Sequence, residues 1–259
     1  MKRLAVLAML LASGCVTADV VPYDAVRELA PTGKLRAAIN FGNGVLAQKD
    51  PKTGEARGVS VDLAREVAKR AGIPLEIVPY DAAGKVSADA TQNRWDIAFV
   101  ARDPDRAKDI EFTAPYVIIE GTYLVAQDSP LRAVEDVDRD GIRVAVGRGS
   151  AYDLFLTRSL KHAQLVRSPT SPEAPELFLR EKLDAAAGVR QQLEYAARMH
   201  PGLRVMEGRF MAIEQAMALP RGRPQAARYL RGFIDEMKAS GFVQQSLDKS
   251  DQKEARVAP

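Results

Sequence analysis

Two short segments place side chains and backbone groups where an anion can be gripped. Arg102-Asp103-Pro104-Asp105-Arg106 directly follows the apolar run 96–101 and precedes another apolar run. In open α/β sheets ligands gather beyond the carboxyl ends of strands, so an arginine there offers a planar, two-pronged donor to a carboxylate. The same cluster equally permits surface pairing of Arg102 or Arg106 with Asp103, Asp105 or Asp109. The second segment, Gly147-Arg148-Gly149-Ser150-Ala151-Tyr152, follows a strand-like run and opens a helical pattern. Free N–H groups and the dipole at a helix start favour a carboxylate or phosphate; Ser150 also suffices as a plain N-cap that needs no ligand. Nucleotide binding fits poorly, because Tyr152 stands where a third glycine belongs and no Lys-Ser/Thr ending follows.

Other chemistry finds little to work with. The histidines are His162 and His200, neither in a metal-ligand pattern, and Cys15 is the only cysteine, so an internal disulfide is excluded. There is no Gly-x-Ser-x-Gly elbow on which to build a hydrolase triad. No metal or cofactor is expected. The 37 Lys and Arg against 34 Asp and Glu leave a formal charge of +3 over 259 residues, without a long basic run, so a nucleic-acid partner has no electrostatic footprint. With 46% apolar and 27% charged residues, the composition is that of a globular chain with room for one large domain or two small ones.

The elements that must position these segments alternate between strand-like and helix-like runs. Strands are expected at 35–39, 75–78 and 96–101, with a hairpin turn at 50–54. An amphipathic helix over 60–71 is stopped by Gly72, and a second helix before the 96–101 strand includes Trp95 near its end. The long apolar stretch 112–125, carrying Pro115 and Gly121, can leave one sheet and enter another. The same grammar then repeats: strands at 142–146, 164–167 and 183–189, helices at 151–160, 172–181 and 191–199. A returning stretch at 210–219 leads to a final helix at 223–239 ended by Gly241. The pattern predicts two α/β lobes joined by crossovers near 118–121 and 212–215.

At the start, Lys2 and Arg3 precede an unbroken apolar run, 4–12, too short to span a bilayer, where a helix needs roughly 20 residues. It reads as a signal peptide, residues 1–18. Val16-Thr17-Ala18 suits cleavage before Asp19, whereas Leu11-Ala12-Ser13-Gly14-Cys15 approximates a lipobox that would anchor the protein through an acylated Cys15. The polar end at Pro259 fits a free-standing or lipid-anchored periplasmic protein, expected to be a monomer.

Four segments occur in an order that resembles a known family: Gly58-Val59-Ser60-Val61-Asp62-Leu63-Ala64, Trp95-Asp96-Ile97-Ala98, the run Asp105-Arg106-Ala107-Lys108-Asp109-Ile110-Glu111-Phe112-Thr113-Ala114-Pro115-Tyr116, and Val146-Gly147-Arg148-Gly149-Ser150-Ala151-Tyr152. Together they look like the family 3 periplasmic solute-binding proteins, the polar amino-acid type of ABC importer receptor, across about 35–242. The resemblance implies a type II periplasmic binding protein fold, a two-lobed α/β clamp with lobe 1 formed by 19–119 and 213–259 and lobe 2 by 120–212. It would close on a small solute and present it to a membrane permease and its ATPase.

The resemblance further implies that Arg106 grips the solute's carboxylate, that the backbone of Gly149, Ser150 and Ala151 holds it from the other side, and that Phe41, near Asn43, stacks on the solute. Two departures stand out. Amino-acid receptors usually carry a serine or threonine where this chain has Ala101, and an acid where it has Val189, followed by Arg190. That acid normally meets the solute's ammonium. Either Glu120 and Glu214, at the two crossovers, replace it in the cleft, or the solute lacks an amino group and brings another polar function to Arg190. Glu120 and Arg190 equally suit plain hinge and surface roles. An enzyme on the same scaffold, of the cyclohexadienyl dehydratase type, would need Glu120 or Glu214 as a general acid.

Overall fold

The computed structural model describes residues 21–259; the expected signal peptide, 1–18, and Cys15 within it lie outside the described residues. The chain opens with α1 (Tyr23–Leu29), β1 (Leu35–Asn40) and a hairpin of β2 (Gln48–Lys49) and β3 (Ala56–Arg57), followed by α2 (Val59–Ala71), β4 (Leu75–Tyr80), α3 (Ala83–Ala88) and β5 (Ile97–Ala101). A long strand, β6 (Ile110–Ala126), leads to β7 (Arg143–Gly147), α4 (Ala151–Ser159), β8 (Gln164–Ser168), α5 (Ala174–Arg180), β9 (Ala185–Val189), α6 (Arg190–Met199) and β10 (Leu203–Val205). The second long strand, β11 (Met211–Pro220), then gives way to α7 (Pro224–Ala239), α8 (Phe242–Lys249) and β12 (Arg256–Val257).

The strands run in the order β4-β1-β5-β11-β6-β9-β7-β8. β1 pairs parallel with β4 and β5 at one side, and β7 pairs parallel with β8 and β9 at the other. Between them β6 and β11 run antiparallel, with Ala212 opposite Glu120 and Glu214 opposite Ile118. The two expected crossovers therefore face each other in one ladder. The register shifts where Ala216 opposes Pro115, as it must where a residue has no N–H to donate. Beyond that ladder β6 continues into the second half, pairing Gly121 through Leu124 with β9.

Helix α2 forms because Val61, Leu63, Ala64, Val67 and Ala68 recur on one face and are all buried. It stops at Gly72, whose left-handed conformation lets its N–H return to Ala68 and Lys69 carbonyls. The strands β5 and β9 are buried at every position, which explains their continuous apolar sequences. At the foot of β5 the Asp96 carboxylate is fully enclosed by Arg36, at 2.9 Å, and Arg223, at 3.0 Å, tying β1 and the approach to α7 to one buried charge.

Some expectations are corrected. Trp95 is not helical: α3 ends at Ala88, and Trp95 is fully buried with its indole N–H on the Val86 carbonyl at 3.1 Å. Helix α1 and strand β10 are too short to have left a periodic signal; Gly241 does follow the end of α7, its N–H returning to the Lys238 carbonyl, but that helix is not the last, since Gly241 also opens α8. The expected turn at 50–54 does join a hairpin, β2 to β3.

Candidate functional site

The carboxyl ends of β1 and β5 face the start of α4 and the end of β9 across a cleft. Loop geometry after β5 is set by Asp103, whose carboxylate accepts from the Asp105 amide at 2.8 Å and whose carbonyl accepts from Ala107 at 2.9 Å. That turn aims Arg106 inward, where it is 4% exposed. Its guanidinium donates to the Ala101 carbonyl at 2.8 Å and, across the cleft, to the Gly149 carbonyl at 2.9 Å, while its Nε–H, also buried, has no partner among the described residues. Burial is the main influence on this guanidinium and pulls it down to about 10, against the raising effect of Asp103. It therefore stays charged at neutral pH.

On the opposite wall Ser150 caps α4, accepting from the Asp153 amide at 3.0 Å. Asp153 in turn accepts from the Gly149 amide at 2.8 Å and from Arg167 at 2.9 Å. The Gly149 N–H is thus already engaged, which corrects the expectation that it holds a solute carboxylate. The amides of Ala151 and Tyr152, in the first turn of α4, have no intrahelical acceptor and remain the available donors. Tyr152 is buried, and its hydroxyl has no hydrogen bond of ordinary geometry among the described residues; burial raises its phenol, outweighing Ser171, Ser150 and the Gly147 backbone, which lie near enough to act on it.

These groups enclose a cavity of about 30 Å³, room for about two waters. Of the expected residues, Asn43, Ala101, Arg106, Ser150 and Ala151 line it. Gly149, Phe41, Glu214, Glu120 and Arg190 do not. The ring of Phe41 lies under Lys49, 5.3 Å from its centroid, in a separate surface hollow. Glu214 projects to the exposed face of β11 and pairs with Arg102 at 3.1 Å, since side chains alternate along a strand and its neighbours Ile213 and Gln215 take the inner face. Glu120 and Arg190 bind each other at 2.9 Å in another hollow behind the crossover ladder, where Arg209 also reaches Glu120 at 3.0 Å.

The cavity also gathers residues that sequence reasoning passed over: Ser60, Tyr152, Gln192 and Gln215. Strand parity pointed to Gln215 once its neighbour was suspected, and Gln192 lies one turn beyond the end of β9; Ser60 gave no separate signal. A wider groove of about 940 Å³ adjoins the cavity, sharing Tyr152, Ser171 and Gln192, and carries Glu176, Glu194 and Glu254 on its walls.

Contacts between the two sides are close. The Gln192 side chain donates to the Gly42 carbonyl at 3.0 Å, and Arg158 of α4 reaches Asp103 and Asp105, both at 2.7 Å. A Cβ on Gly149 would stand 2.7 Å from the Gly84 Cα, so backbone meets backbone across the cleft. The halves are drawn shut.

A profile of the bacterial extracellular solute-binding proteins, family 3, matches residues 47–250. The chain belongs to that family. The L-cystine-binding protein TcyJ of Escherichia coli is 23% identical over 201 residues, covering 76% of this chain and 74% of that relative. Among solved structures, the solute receptor for L-cysteine of Neisseria gonorrhoeae superposes with a TM-score of 0.76 at 21% identity, covering 87% of this chain and 92% of that one. The ancestral amino acid-binding protein AncCDT-1, a precursor of cyclohexadienyl dehydratase, gives a TM-score of 0.73 at 23% identity, over 86% and 98%. These neighbours share the two-lobed, type II binding-protein fold that the family resemblance implies. Among the described residues of this family 3 protein, no helix is long and apolar enough to cross a membrane.

Proposed function

We propose that this protein is the extracytoplasmic substrate-binding component of an ABC importer, closing on a small carboxylate-bearing solute. The observation that carries this reading is Arg106, a buried cation at a cleft between two α/β halves with a guanidinium N–H left unpartnered among the described residues. The amides opening α4 face it, so a carboxylate between them meets donors from both sides. The relatives named above support a small solute of the amino-acid or organic-acid class. In this reading residues 1–18 direct export, with anchoring through Cys15 as the lipidated form, and the protein acts as a periplasmic monomer. Lobe 1 comprises 19–119 and 213–259, and lobe 2 comprises 120–212, with closure presenting the solute to a permease and its ATPase.

A dehydratase reading draws on the likeness to AncCDT-1. It needs a carboxylic acid at the reacting carbon, and the residues lining the cavity include no Asp or Glu. The binding reading is tested by a thermal-shift screen against small mono- and dicarboxylates and amino acids, in the wild type and in Arg106→Ala. A rise in melting temperature that Arg106→Ala abolishes is expected; turnover of a cyclohexadienyl acid, or no shift with any acid, overturns it.

A further inference from the structure

The charges around the cavity do not balance. Among the described residues, Arg106 is the one side chain lining it that is charged at neutral pH; the others are apolar, hydroxyl-bearing or amide-bearing. Three acids of the neighbouring segments pair outside the cavity, Asp103 with Arg158, Asp153 with Arg167 and Glu214 with Arg102, and Asp103 acts on Arg106 only through space, without a bond to it. At the end of β9, where a side chain reaches the cavity beside α6, stands Val189, 4% exposed.

A solute carrying both a carboxylate and an ammonium is neutral overall, and would leave the enclosed cavity with the net positive charge of Arg106. A monoanion cancels it. Burying a charge without a partner is strongly unfavourable, which favours the monoanion. The unpartnered Arg106 Nε–H points the same way, since it can only donate and needs an acceptor. An ammonium adds only donors.

Geometry confines this argument to the carbon beside the carboxylate. An ammonium there lies two bonds from the carboxyl carbon, so it stays beside the carboxylate that Arg106 holds, whereas Glu176, Glu194 and Glu254 line the adjoining groove and not the cavity. Resting on the receptor reading above, we infer that the solute is a small monocarboxylate bearing a hydroxyl or keto oxygen, and no ammonium, on the carbon next to its carboxylate. The hydroxyl or keto oxygen accepts from Tyr152, and the carboxylate lies between Arg106 and the first amides of α4.

The test is calorimetric titration of the purified protein with matched sets of 2-hydroxy, 2-oxo and 2-amino acids that share one side chain, using methyl, isobutyl, benzyl and methylthioethyl side chains. The expected result is a preference of at least about ten-fold for the 2-hydroxy or 2-oxo acid of the best set. In Val189→Asp the preference should reverse toward the 2-amino acid, while Val189→Asn, similar in volume but neutral, should keep the wild-type order. Equal or tighter wild-type binding of the 2-amino acid overturns this inference and leaves the receptor reading standing. Absence of binding by all three classes overturns both.

Discussion

The Arg106 guanidinium, rooted in the loop after β5, donates to the Gly149 carbonyl 2.9 Å away at the start of α4, so one side chain spans the cleft. It links the two halves and, through its free Nε–H, keeps a donor for something further. Substitution separates those duties. Arg106→Ala should weaken solute binding by about two orders of magnitude, the scale for removing a buried charge-assisted donor, while ligand-free melting changes little because losing the bonds to the Ala101 and Gly149 carbonyls is offset by removing a buried charge. Arg106→Lys keeps charge without the planar fork and should lose about ten-fold. Titration calorimetry with parallel melting curves checks both; equal collapse of stability in both variants would assign Arg106 to the scaffold alone.

Gly84 predicts an opposite movement of stability and affinity. It lies in the first turn of α3, where alanine is the better helix former, yet a Cβ there would meet the Arg148 carbonyl oxygen at 3.0 Å and the Gly149 Cα at 3.1 Å. Gly84→Ala should leave the ligand-free protein as stable or slightly more so and weaken binding several-fold, because the obstacle exists only when the halves are shut. Small-angle scattering with saturating solute should show a larger radius than wild type. An unchanged affinity would mean that α3 gives way at no cost.

Arg158 acts as a latch at the rim. It is partly exposed but meets Asp103, whose carboxylate is nearly enclosed, and Asp105 in the opposite half. Removing it in Arg158→Ala should weaken solute binding by roughly five-fold at low salt, with the difference shrinking as ionic strength rises. A salt-independent loss would point to packing of the side-chain stem instead.

The crossover ladder carries its own pH signature. Burial acts to raise the Glu120 carboxyl, but hydrogen bonds from Arg190 and Arg209 outweigh it and hold the group below its ordinary 4.5. A carboxyl lowered by folding contributes stability that is complete above the unfolded value and disappears as pH falls through the folded one. Glu120→Gln should therefore melt below wild type at pH 6, and the two curves should converge as pH drops below about 4. A gap that stays constant through that window would show that the pair adds nothing to the fold.

Sequence alone determined the strand–helix alternation and placed a loop with Arg102 and Arg106 at a strand's carboxyl end; the choice of Arg106 between them came from the family resemblance. The alternation and the loop follow from local rules: apolar periodicity, glycine stops, and turn residues such as Asp103 and Pro104. It also fixed the absence of an acid at Val189, which needs no coordinates to be seen. The tertiary structure decided which polar groups share a cavity. Glu120 and Arg190 were each plausible in the cleft when read singly, and they instead satisfy each other behind the ladder. Glu214 and Gln215 are adjacent in the chain, yet strand alternation sends one to solvent beside Arg102 and the other into the cavity. Phe41 follows the expected strand but turns to Lys49 outside the site. Pairing of charges and the facing of side chains depend on residues far apart in sequence, so no local pattern encodes them.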